Sequence, residues 1–300
     1  MESGCDRMRM DAEGDRLSVL PDDLILQILS FIGLKDAIGT SVLSSRWRYL
    51  WTSIPHLSFS SQDFSTLDML SEFVTHVLSR RNNQVQLSSF NLYLRKTFGQ
   101  DVALRIMNLA FSLNVQQLNI TCRFTYHSSS YEENPGIIPY SLSGSQTLNH
   151  LTLNWYSGVD HMILTSTWEF SSLTTLHLYY ITLYDGFFSM YPTLENLTLN
   201  CCKIKGSEVL SICHPRLSNL TLENGDCVNM VTPQLKNLTI SNYFGGYQIS
   251  APELASLIIK GQCPYMFSTD GFPSLEKAQF SLHNIKMLSR SDDSTIIRLP

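Results

Sequence analysis

One spacing returns ten times along this chain: an apolar residue, two of any kind, an apolar residue, one of any kind, an apolar residue. It begins at Ile54, Leu87, Val115, Leu148, Leu173, Leu194, Leu217, Leu235, Leu254 and Leu275, at intervals of 18 to 33 residues. A single instance constrains little, because any amphipathic strand produces it. Ten in series restrict the chain to a structure built from one repeated unit. Strand side chains alternate with period two. In the copy that starts at Leu194, Leu197 and Leu199 therefore face one way, and Asn196, Thr198 and Asn200 the other. One unit cannot bury its own leucines; stacked neighbours bury them together in a parallel sheet.

Over roughly residues 54–282 the pattern resembles an irregular leucine-rich repeat, whose units run about 20–29 residues. Some segments between the frames have helical spacing: Phe64, Leu67, Leu70, Phe73, Val74, Val77 and Leu78 in one, Val102, Ile106 and Leu109 in a shorter one. "SEVLSIC", Ser207–Cys213, reads as a single turn. In the last copy Ala278 stands where a large apolar residue is expected.

Asn196, Asn219 and Asn237 each open an Asn-Leu-Thr glycosylation pattern, and Asn119 opens a fourth acceptor of the Asn-x-Thr kind. The repeat register predicts the first three at one equivalent position on adjacent strands, about 4.8 Å apart, too close for three glycans. They read as repeat residues. The first residues, "MESGCDRMRMDAEGDR", lack the apolar stretch of a signal peptide. No run of about 18 apolar residues is present, so no membrane-spanning helix is expected. The seven cysteines are irregularly spaced, with Cys201 and Cys202 adjacent, which fits reduced thiols better than a disulfide framework. A net charge of -5 offers no general field for nucleic acid.

Ahead of the repeats, Pro21 suits the first position of a helix and Asp22 and Asp23 its positive end. On a helical wheel Leu24, Ile25, Leu26, Ile28, Leu29, Phe31 and Ile32 cover roughly 220°, leaving only Asp23, Gln27 and Ser30 as a polar wedge. One core face needs about half of that arc. The wheel leaves two readings: a helix sunk in a larger core, or a helix with one face inward and one against a partner. Gly33 breaks the helix, Lys35–Val42 allows a second, and Ser44 caps a third that carries Leu43, Trp47, Leu50 and Trp51 on one side.

"LPDDLILQILSFI", "KDAIGTSVLSSRWRYLW" and "IPHLSF" follow in the order and spacing of plant F-box/leucine-rich-repeat proteins, which the chain resembles. "IGLKD" departs from the proline-containing turn common in that group, a turn that Gly33 is free to make. The resemblance implies an α/β fold: a short three-helix F-box followed by a curved leucine-rich-repeat solenoid with a parallel sheet. The expected organisation is a disordered tail over 1–15, the F-box over 16–60 and the repeat domain over 61–300. It also implies a role, as the substrate-recognition subunit of a Skp–cullin–F-box (SCF) ubiquitin ligase in the cytoplasm or nucleus. The F-box would bind a Skp-type adaptor and through it cullin; the repeats would bind a target protein. By motif match the adaptor-facing candidates are Leu20, Pro21, Leu24, Ile28, Val42, Leu43, Trp47 and Trp51, some of which act as internal packing instead.

The outward strand positions Tyr93, Asn119, Asn154, His177, Tyr179, Asn200, Glu223, Lys260 and Lys277 are the candidates for target capture. No phosphate-binding loop, nucleophile elbow or zinc-protease motif occurs, so no enzyme is expected. Cys201, Cys202, Cys213 and His214 lack the pair spacing of a zinc site, and Cys202 reads as the turn-closing position of its repeat. Arg80–Arg81 reads as a helix cap, and Arg46-Trp47-Arg48 as packing more than as a nucleic-acid reading stretch. Some plant relatives hold a small ligand or an inositol polyphosphate. No basic cluster for one can be assembled from the sequence, so no cofactor is assigned. The alternatives are a small-molecule-gated F-box receptor, a repeat scaffold with no ubiquitin-ligase role, and a secreted recognition protein. The closing "SRSDDSTIIRLP" is short for a solenoid cap, as a shortened isoform would be.

Overall fold

The computed structural model describes residues 19–95, 100–123, 137–138, 146–156, 162–164, 170–262 and 266–283. The expected tail over 1–15 and the closing segment lie outside them. The chain starts with α1 (Asp22–Phe31), α2 (Leu34–Gly39) and α3 (Trp47–Leu50), the last two extended by tight turns at Thr40–Val42 and Trp51–Ser53. Then come β1 (His56–Ser60), α4 (Leu67–Arg80), β2 (Ser89–Arg95), α5 (Gln100–Ser112) and β3 (Gln117–Arg123). From there strands dominate: β4 (Ile137–Ile138), β5 (His150–Tyr156), β6 (Met162–Leu164), β7 (Thr175–Tyr179), β8 (Ile181–Leu183), β9 (Asn196–Asn200) and β10 (Lys203–Ile204). The remainder is β11 (Val209–Cys213), β12 (Asn219–Gly225), β13 (Cys227–Val231), β14 (Asn237–Tyr243), β15 (Gly246–Ser250), β16 (Ser256–Gln262), β17 (Met266–Thr269) and β18 (Lys277–His283).

All ten sequence frames become strands of one sheet, in the order β1-β2-β3-β5-β7-β9-β12-β14-β16-β18. Every pairing in it is parallel. The leucines run in rows: Leu176, Leu197, Leu220, Leu238 and Leu257 are adjacent in register and all buried. This is a parallel-strand solenoid of the leucine-rich-repeat type. Side chains behind the long sheet are covered by α4 and α5 in the first units and by short return strands in the later ones.

The return strands correct one expectation. Ser207–Cys213 is not a turn of helix: it contains β11, with Leu210 and Ile212 buried and Val209, Ser211 and Cys213 exposed. Two four-stranded sheets, β10-β8-β6-β4 and β11-β13-β15-β17, back the later repeats. Such short strands hold only because neighbouring repeats supply their ladder partners. The helical expectations in the early units hold: Thr66 caps α4 by accepting the Met69 N–H at 3.2 Å, and Leu67, Leu70, Val74 and Val77 are buried.

Near the ends of five successive strands of the long sheet one residue is left-handed: Tyr180 and Cys201 just after β7 and β9, and Asn224, Asn242 and Gly261 one residue before the ends of β12, β14 and β16, at φ 61°, 51°, 55°, 54° and 99°. The Tyr180 and Cys201 N–H groups each donate to the next strand, to the Asn200 and Glu223 carbonyls at 2.9 and 3.0 Å. Cys202 follows, buried, its thiol donating to the Leu178 carbonyl at 3.3 Å; this is the turn-closing place that its repeat position predicts.

The helical module joins the sheet through one core. Trp51 and Ile54 are buried with Leu57 and Phe59 of β1, which lies inside the 16–60 unit. Arg80 stands in the last turn of α4 and Arg81 at its C-cap, as expected; the Arg81 side chain also donates to the Ile54 carbonyl at 2.5 Å and to the Val85 carbonyl at 2.8 Å, tying the loop after α4 to the module. Lys35 donates to the Asp63 carbonyl, with its ammonium 3.8 Å above the Phe64 ring. Gly33 sits at φ -61°, ψ 148°, so the turn after α1 uses none of glycine's left-handed freedom.

Candidate functional site: an apolar helix face and a polar sheet face

The helix α1 is apolar on two sides, and only one of them is packed. Ile25 and Leu29 are 0% and 1% exposed, whereas Leu24, Ile28 and Phe31 keep 46%, 40% and 81% of their surface. Their spacing of four and three residues aligns the exposed trio in one stripe. Pro21 takes the N-cap position, one place earlier than expected, with Asp22 and Asp23 in the first turn. The Arg46 guanidinium donates to Asp22 at 2.9 and 2.5 Å and also to the Leu20 carbonyl. That clamp fixes the start of α1 against α3.

The motif-matched candidates divide by exposure. Leu24, Ile28, Val42 and Leu43 carry exposed apolar surface and Pro21 is exposed, while Leu20 is half-buried against the core. Trp47 and Trp51 are buried, at 4% and 7%. Their indoles join Ile54 and Leu57 in the core, so they build the module from inside. Val19, Phe31 and Tyr49, outside the motif-matched set, are also more than half exposed. Phe31 was on the wheel and had a signal; Val19 and Tyr49 had none.

On the long sheet, the outward candidates fall into register. Tyr93, Thr121, Asn154, Tyr179, Asn200, Glu223, Ser241 and Lys260 form one continuous row across eight strands. His177 lies in the next row with Asn91, Asn119 and Thr152. Lys277 lies in a third row, which also holds Asn196, Asn219 and Asn237. The rows are tied internally: Asn219 donates to Asn196 and Asn237 to Asn219, both at 2.7 Å, and Asn119 to Asn91 at 2.7 Å. Asn200 donates to the Glu223 carboxylate at 2.7 Å. Burial, then the His150 ring, lowers the pKa of His177; burial, then the Glu223 charge, raises that of Tyr179. Both groups are thus held neutral near pH 7, and the row carries only Glu223 and Lys260 as charges. Such a surface offers hydrogen bonds to a peptide more than a field to a polyanion.

Among the described residues no group of three His, Cys, Asp or Glu side chains could hold a metal ion, and no helix is long and apolar enough to cross a membrane. Burial pushes the Cys202 thiol up to about 12, the opposite of an activated nucleophile.

The F-box domain family matches residues 17–59. An F-box/LRR-repeat protein of Arabidopsis thaliana is 32% identical over 277 residues, covering 87% of this chain and 77% of that protein. Another from the same plant is 28% identical over 294 residues, 91% of this chain and 76% of that one. An Arabidopsis F-box/FBD/LRR-repeat protein is 32% identical over 268 residues, 86% of this chain and 54% of its own length. The chain spans about half the length of several of the curated relatives it matches. No solved structure matches it.

Proposed function

The chain belongs to the plant F-box/LRR-repeat proteins, and from that premise we propose that it is the substrate-recognition subunit of an SCF-type ubiquitin ligase. The exposed stripe of α1 docks a Skp-type adaptor and, through it, cullin. The polar rows of the long sheet capture a target protein. The chain performs no chemistry itself; two binding faces on one scaffold raise the concentration of target beside the ligase's catalytic partner. It acts in the cytoplasm or nucleus.

The observation that carries this reading is the division of α1 into a packed side, Ile25 and Leu29, and an unpacked one, Leu24, Ile28 and Phe31. A helix that serves only its own core has no use for the second. Burying one such side chain contributes about 1.5–3 kcal/mol, so three at the centre of an interface suffice as hot spots. The test is co-purification of the full chain with a Skp-type adaptor, and its loss when the stripe is truncated.

A further inference from the structure

A cavity of about 630 Å³ opens where β9, β12 and β14 of the long sheet give way to the return strands. Its walls come from three successive repeats: Cys201–Ile204 with Ser207, Glu208 and Leu210, then Asn224–Cys227, then Tyr243–Gly245. The volume lies within the range of pockets that enclose a ligand group. It begins one residue beyond Asn200 and Glu223, so it continues the row assigned to target capture.

Phe244 lines the cavity with half of its surface exposed, though the neighbouring Tyr243 is buried. The loop is pinned in that presentation: the Phe244 and Gly245 N–H groups donate to the Gly225 and Asp226 carbonyls at 3.0 and 2.9 Å. Asp226 and Glu208 are exposed carboxylates on the walls, opposed by a single ammonium, Lys203. Neither carboxylate forms an ion pair among the described residues. Independently, the Tyr243 hydroxyl is buried without a hydrogen-bond partner, and the end of its ring lies over Gly225 at the wall, where an added Cβ would be 2.4 Å away.

We propose that this cavity receives an arginine side chain of the captured target. The inference rests on the target-receptor reading and names what that face recognises. A flat guanidinium lies on the open ring of Phe244, where the ring quadrupole attracts a cation. The aliphatic stem covers the apolar wall at Ile204 and Leu210. The two carboxylates accept the guanidinium N–H groups, a contact that a neutral or acidic side chain forfeits.

Two wall residues supply the readout. Cys201 and Cys227 line the cavity and are partly exposed, while Cys213 is exposed at the far end of β11, outside it. The full-length protein is treated with iodoacetamide, and alkylation is followed at each cysteine by mass spectrometry during titration with the capped peptide Gly-Ser-Arg-Ser-Gly. At about five times its Kd the peptide slows Cys201 and Cys227 about sixfold and leaves Cys213 unchanged. The same peptide with citrulline for arginine gives no protection. Glu208→Gln with Asp226→Asn, and separately Phe244→Ala, abolish protection while the melting temperature holds. Equal protection by the citrulline peptide, or none from the arginine peptide at about 10 mM, overturns the proposal. Adaptor co-purification on the same samples separates the two readings: if it persists, only the arginine site falls; if it is absent, the receptor assignment falls with it.

Discussion

The Asn219 side-chain amide donates to the Asn196 oxygen at 2.7 Å, and the two residues face each other in register on adjacent strands. What reads as two glycosylation acceptors is one rung of a ladder that Asn237 extends. Asn219→Ala removes two rung bonds and is expected to cost about 1–2 kcal/mol. A urea titration checks it through a lower midpoint at unchanged slope. A shift no larger than that of an exposed surface alanine would mean the ladder contributes nothing.

Gly225 and Gly245 are required by close approach. A Cβ on Gly225 would lie 2.4 Å from the Tyr243 ring, and one on Gly245 would lie 2.4 Å from the Asp226 carbonyl oxygen. A ring at the end of a side chain gives way more readily than backbone. Gly225→Ala is expected to lose about 1–3 kcal/mol, and Gly245→Ala to lose more. Thermal melts of the two variants, ranked in that order, check it; the reverse order would contradict the packing.

His214 is a neutral pin. It is buried; its Nε2–H donates to the Tyr191 carbonyl at 2.9 Å, and its Nδ1 accepts the Arg216 N–H at 3.2 Å. A second proton has no place there, and burial lowers its pKa. With the folded pKa below the unfolded value, the stabilisation is complete above the unfolded value of about 6.5 and is lost as pH falls toward the folded one. Denaturant stability measured from pH 8 down to pH 5 should decline, with a smaller decline in His214→Gln. An unchanged decline in the variant would place the effect elsewhere, for instance at His177, whose pKa burial also lowers.

Trp47 and Ile28 were both adaptor candidates by motif, and the structure assigns them different surroundings. Trp47→Ala empties a buried site and should cost about 3–5 kcal/mol, visible as early loss of the helical module in a thermal melt. Melting like the unaltered protein would show that the indole is dispensable to the fold.

The ten long-sheet strands were legible because each buries alternate leucines, a pattern that period two writes directly into the sequence. Stacking brings six of the outward candidates, Tyr93, Asn154, Tyr179, Asn200, Glu223 and Lys260, into one row; Thr121 and Ser241 of that row were not among the candidates, and Asn119, His177 and Lys277 fall in other rows. The return strands were not legible. β8 and β10 are three and two residues long and owe their state to neighbouring repeats, which no local pattern encodes. In the helical module, Leu43, Trp47, Leu50 and Trp51 form an apolar side, but apolarity does not say whether a side faces its own core or a partner. Only packing against Ile54 and Leu57 resolves that. The cavity at Phe244 was invisible because its walls are brought together from three repeats.

The stripe Leu24, Ile28 and Phe31 bears the central assignment. The direct measurement is the affinity of the full chain for a purified Skp-type adaptor by calorimetry, before and after Leu24→Ala, Ile28→Ala and Phe31→Ala are combined. Loss of about 4 kcal/mol or more, roughly a thousandfold, with the solenoid's melting transition in place, is the predicted result. Undiminished binding by the triple variant would contradict the account.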